Sequence, residues 1–289
     1  MKTFLQKART HHVFTFGKDL YDRTMRDDVA GLAAQLAYFF LLSLFPALVF
    51  LITLLGYIPI ETEDVLSFLQ NYAPEDVLSL IETNVDKIVS EQNGGLLSFG
   101  LLAMLYFASN GVNAVMKAFN RAYDITETRS FITTRALSVV LTLATIFMIV
   151  FALILPVFGQ IIGSAIFKVL GLSHEFSFVW SIVRLLLSFL VLFGLFCFLY
   201  KFAPNRHVKR REVMTGALFA TIGWIVASYS FAFYVDNFAN YSNTYGSLGA
   251  IIILILWFYL TGWVILLGGE INALLNYYRT SDNNSRNQK

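Results

Sequence analysis

Apolar residues gather into six long runs, at about residues 29–58, 95–115, 137–160, 178–200, 213–236 and 247–275. A helix needs roughly 20 mostly apolar residues to cross a bilayer. Each run reaches that length, and the first and last have residues to spare for tilt or extra turns. The evenly spaced, alternating segments of an outer-membrane barrel do not occur. The pattern predicts an all-α polytopic membrane protein with six transmembrane helices. The first run starts near Val29 behind a polar stretch and is too long for the apolar part of a cleavable signal, so none is expected.

The segments between the runs have patterns of their own. Residues 63–69 read EDVLSFL and residues 75–81 read EDVLSLI, a local repeat. Val65, Leu66, Leu69 and Tyr72 fall on one helical face, and Val77, Leu78, Ile81, Val85 and Ile88 on another. Pro74, followed by Glu75 and Asp76, has the composition of a helix start. Two short amphipathic helices are therefore expected at about 61–93, as an acidic cap outside the membrane. Residues 1–28 place Val13, Phe16 and Leu20 on one side and basic residues elsewhere, which predicts an interfacial cytoplasmic helix. Residues 29–276 would form the transmembrane domain and 277–289 a polar cytoplasmic tail, disordered after Thr280.

Composition agrees with the pattern. Hydrophobic residues make up 57% of the 289 and charged residues 14%, against about 25% charged in soluble domains. Charge placement adds orientation. Of 21 basic residues, 18 fall in residues 1–28, in the loops after the second and fourth runs, or in the tail. The opposite side holds only Lys87 and Lys168, and Arg184 lies within a run. By the positive-inside rule both termini are cytoplasmic, which suits an even number of spans.

The single cysteine, Cys197, allows no disulfide within the chain and no multi-cysteine metal site. His11, His12, His174 and His207 lack ligand spacing, so no metal and no other cofactor is expected. Polar residues inside the runs are the candidates for function, because ionisable groups in spans usually face the bundle and find partners. Gln35, Asn110, Asn113, Lys117, Arg184, Asp236, Asn240 and Glu270 form a candidate polar path, with glue between helices as the alternative role of its amides. Arg184 and Asp236 lie at similar outer depths and are expected to pair. Glu270, near the inner end of the last run, has Lys117, Arg121 or Lys201 as candidate cations and Asn110 or Asn113 as donors. Gly268 and Gly269 before it would let a neighbouring helix come close. Pro46 and Pro156 are expected helix bends, which could line a cavity or serve packing.

The stretches DDVAGLAAQLAYFFLLSLFPAL, FNRAYD, YKFAPN, GALFATIGW and YGSLGAIIILILWFYLTGWVILLGGEINALL, in that order, resemble the YihY/BrkB family, once called ribonuclease BN. The resemblance runs from about Asp27 to Asn276 and implies a six-span helical bundle in the bacterial cytoplasmic membrane. Roles proposed across that family include transport of lipid or other envelope components and resistance to host killing. The residues themselves argue against a nuclease or any other enzyme. Phosphodiester cleavage by metal needs clustered His, Asp and Glu, and metal-free cleavage needs a positioned acid and base. The sequence offers no catalytic set of either kind, and the basic VKRRE stretch flanks a span where topology demands positive charge. No GxxxxGK[ST] motif is present, which leaves passive or ion-coupled movement. Two functions stay open: a transporter or translocator of a lipid or envelope component without its own ATPase, and a non-transporting scaffold for envelope assembly. Membrane lipids are the expected partners, nucleic acid is not, and a homo-oligomer is compatible with either function.

Overall fold

The structure, a computed structural model, describes residues 15–57, 92–170, 176–238 and 248–287. Helix α1 covers residues 15–26. It is followed by α2 (Val29–Leu55), α3 (Gly94–Ala122), α4 (Phe131–Leu170), α5 (Phe176–Phe202), α6 (Arg210–Phe238) and α7 (Leu248–Asn287). The described residues are helical with short connections and contain no strand. Each of α2 to α7 contains a segment long and apolar enough to cross a membrane. The expected acidic cap at 61–93 lies outside the described residues, apart from its last two positions.

The helices run past the apolar stretches that mark them. α7 continues from the expected end near residue 275 to Asn287, so the tail read as disordered after Thr280 is helical through most of its length. α3 likewise extends to Ala122 and α4 begins at Phe131. Hydropathy marks where hydrocarbon contact stops, whereas the backbone ladder stops only at a breaker or a cap. Residues 281–287 contain neither Pro nor Gly.

The chain divides into two compact units, one of residues 1–38 and 109–289 and one of residues 39–108. In the larger unit, α6 packs on α7 and on α5, and α5 on α4. The α6–α7 approach is so close that side chains beyond hydrogen do not fit. A Cβ on Gly216 would stand 2.1 Å from the Gly268 carbonyl oxygen, and one on Gly268 would stand 2.1 Å from the Tyr200 hydroxyl. That hydroxyl donates to the Ile265 carbonyl at 2.8 Å. Asn272, fully buried, accepts from the Gly216 amide at 2.7 Å and donates to the Val213 carbonyl at 3.3 Å. The first turn of α2 is fixed by Asp28, which sits at φ 52° and accepts the Gly31 amide at 3.2 Å. Side-chain acceptors at this position satisfy amides that a helix start leaves unpaired. α1 lies along the far end of α7, where Tyr278 donates to Asp19.

In the smaller unit α2 continues through Pro46. Proline there frees the Leu42 carbonyl, but the Ser43 hydroxyl donates instead to Phe40 at 2.8 Å. α3 approaches α2 so closely that a Cβ on Gly100 would lie 2.8 Å from the Phe50 amide nitrogen.

Candidate functional site

Polar chemistry concentrates at one end of the larger unit, the basic end. Three connections meet there: the corner between α1 and α2, the α3–α4 link and the α5–α6 link. Asn120, buried in the last turn of α3, holds two of them. Its amide donates to Glu127 at 2.8 Å, and its carbonyl oxygen accepts the Asn205 backbone amide at 2.7 Å. Asn205 returns bonds to the Thr126 carbonyl at 3.2 Å and the Thr128 hydroxyl at 2.8 Å. Glu127 takes two bonds of 2.7 Å from the Arg129 guanidinium. Those bonds hold its carboxyl down at about 2. Arg129 also reaches the Ala203 carbonyl at 3.3 Å. FNRAYD and YKFAPN are therefore the two halves of one clasp.

The corner before α2 is tied in by a reciprocal exchange. Arg23 donates to the Ala122 carbonyl at 3.2 Å, and Arg121 donates to the Asp27 carbonyl at 2.9 Å. Each helix end thus lends a cation to the other's last carbonyls, where the helix dipole favours positive charge.

Glu270 lies beside this corner with 2% of its surface exposed, and Asp27 is 3% exposed. The two carboxyl groups interact electrostatically, and Arg23 and Arg26 are the cations that act on Glu270. Asp27 is held by Arg26 through bonds of 2.9 and 3.0 Å, and Arg26 reaches Asp124 at 3.3 Å. Oε2 of Glu270 is buried without a hydrogen-bond partner. The Tyr123 hydroxyl is also buried and unpartnered, and burial pushes it up to about 12. The two glycines before Glu270 make room for aromatic rings: Gly268 admits Tyr200, and a Cβ on Gly269 would lie 2.5 Å from the Phe119 ring.

The expected neighbours of Glu270 need correction. Lys117 is exposed, Arg121 is spent on the Asp27 carbonyl, and Lys201 sits 4.8 Å from the Phe202 ring. Asn110 accepts from Arg135 at 2.6 Å, and Asn113 is half-buried with its side-chain oxygen unpartnered. The reason is depth. Gly269 lies against Phe119, and Asn110 is nine residues earlier on α3, about 13 Å along the axis at 1.5 Å per residue. The actual partners come from the α1–α2 corner, and the DDVAG stretch, with its acids next to a span, carried that signal.

The other members of the expected path are dispersed. Gln35 is exposed on α2, and Arg184 is half-buried on α5. Asn240 and the side chains of Asp236 and Pro156 lie outside the described residues, and with them the expected Arg184–Asp236 pair. Among the described residues, no three His, Cys, Asp or Glu are grouped as a metal site.

Comparison with known proteins adds three findings. The family model described as virulence factor BrkB matches residues 20–289. A ribonuclease-like protein, YfkH, of Bacillus subtilis is 51% identical over 262 residues, covering 91% of this chain and 95% of that protein. A UPF0761 membrane protein of Tolumonas auensis is 29% identical over 278 residues, covering 91% of this chain and 86% of that one. No solved structure matches the chain.

Proposed function

This chain belongs to the BrkB virulence-factor family of membrane proteins, and on that premise we propose that it translocates a lipid or another envelope component across the bacterial cytoplasmic membrane. It does so without its own ATPase, with both termini in the cytoplasm and with Glu270 in an inner polar gate.

One observation carries the reading: a buried carboxylate in a membrane helix, lying against a second buried acid, with one oxygen unpartnered. Burying an ion costs several kcal/mol even after relaxation, and a purely structural position could be filled by an apolar residue. Ionisable groups retained inside spans mark pathways and relays.

The acids of the basic end do not support a ribonuclease reading. Asp27 is bound by Arg26, Glu127 by Arg129 and Glu212 by Arg206. Each of these three carboxylates already has a guanidinium partner, which competes with any metal for its oxygens.

The test is reconstitution into liposomes carrying a short-chain fluorescent phospholipid, with leaflet exchange followed by chemical quenching from outside. Wild-type protein is expected to speed exchange at least tenfold over protein-free vesicles. Glu270→Gln keeps the shape and should lose most of that gain while accumulating and melting like wild type. Wild-type vesicles that match protein-free ones would overturn translocation of phospholipid and leave the scaffold as the reading. Full activity in Glu270→Gln would remove this residue from the gate.

A further inference from the structure

A cleft of about 200 Å³ opens at the basic end, between the close of α1, the last turn of α3, the α5–α6 link and the late turns of α7. A water molecule's share of liquid volume is about 30 Å³, so the cleft has room for a chemical group of several atoms. Two arginines line it, each laid against a tyrosine that also lines it. The Arg23 guanidinium sits 5.3 Å from the Tyr277 ring centre, and that of Arg206 sits 4.7 Å from the Tyr123 ring centre. A guanidinium stacked on a ring keeps its N–H edge directed outward in a fixed plane, which is the geometry that grips phosphate through two donors. Each carries five N–H donors. The bonds to protein engage Nη1 of Arg23, on the Ala122 carbonyl, and Nη2 of Arg206, on Glu212 at 2.8 Å.

The acid in the lining, Asp124, reaches Arg26, outside the lining, at 3.3 Å, a cation that it shares with Asp27. The lining itself thus carries two stacked guanidiniums and one carboxylate, with Arg206 also paired to Glu212 outside it. The cleft also lies where two spans end, since Ala122 closes one and Thr280 is next to the end of another. Basic pockets at that depth suit lipid headgroups.

We propose that this cleft binds a phosphomonoester, with Arg23 and Arg206 as its paired cationic donors. The group can belong to an anionic lipid headgroup or to a soluble phosphate compound. The inference concerns binding alone and stands whether or not the protein moves lipid.

Binding of short-chain phosphatidic acid and of glycerol 3-phosphate to the detergent-solubilised full chain tests it, because both carry the same phosphomonoester. Thr280→Glu adds a negative charge at the exposed rim without disturbing buried packing, and Arg206→Gln removes a donor. Both are expected to weaken phosphatidic acid binding at least tenfold, whereas Arg210→Gln, an exposed cation outside the cleft, should change it less than twofold. Saturable binding of phosphatidic acid alone, sensitive to Thr280→Glu, assigns the site to a lipid. Binding of glycerol 3-phosphate with the same sensitivity assigns it to a soluble compound. Thr280→Glu protein that melts like wild type and binds phosphatidic acid equally well would overturn the site, as would equal losses in all three variants.

Discussion

At the scale of single residues, the glycines on the inner faces of α6 and α7 are set by contact distance. With Cβ positions 2.1 Å from the Gly268 carbonyl oxygen and the Tyr200 hydroxyl, Gly216→Ala and Gly268→Ala must push the helices apart. Overpacking of this kind costs about 1–3 kcal/mol. Gly194 on α5 has no atom within 4 Å of its would-be Cβ, so Gly194→Ala should be neutral or slightly stabilising. Melting of the three variants in detergent checks the contrast. A different residue-scale test concerns Glu127, whose carboxyl is held near 2 by Arg129. Its folded value lies below its ordinary value of 4.5, so the stabilisation is complete above about pH 4.5 and fades as pH falls towards 2. The side chain is about a third exposed, so solvent screens the effect. Glu127→Gln should melt below wild type at neutral pH, and the gap should close in acid.

At the scale of elements, the six spans were legible in the sequence because membrane insertion is written in hydropathy over about 20 residues. Their true ends were less so. Asn120 and Asn205 occupy polar segments between apolar runs, where hydropathy is silent, and they meet only because the chain folds back. The same limit hid the neighbours of Glu270. Sequence supplied its rough depth and its glycines and pointed to Asn110, Asn113 and the nearby cations, while Asp27 as its neighbour depended on helix register, marked by Gly269 seating against Phe119. The exposure of Gln35 on α2 was beyond reach for a related reason. An amide in a span can face either way, and only packing decides.

At the scale of the molecule, many of the largest apolar side chains face outward, Phe45 in the smaller unit and Phe131, Phe147, Leu185 and Tyr229 in the larger. In water such a surface would aggregate; against hydrocarbon it is at rest. The orientation proposed from the uneven distribution of basic residues is directly testable. In a Cys197→Ser background, single cysteines at Ser79 and Ser242 should react with an impermeant thiol reagent in intact cells. A cysteine at Thr128, within the clasp, should react only after permeabilisation. Labelling of Thr128 from outside would reverse the topology.

The exchange of arginines between the α1–α2 corner and the end of α3 also sets a clock for synthesis. Arg121 and the carbonyl of Asp27 that it binds are 94 residues apart. At roughly 5–20 residues per second, the corner therefore waits on the order of 5–20 s before its first tie can form. Glu270 emerges later still, in the last helix, and meets an acid from the α1–α2 corner. The newborn protein cannot close its basic end until translation is nearly over. A ribosome that stalls before α7 leaves Asp27 without its buried neighbour and the cleft without one wall. Completion of the chain and completion of this end are one event.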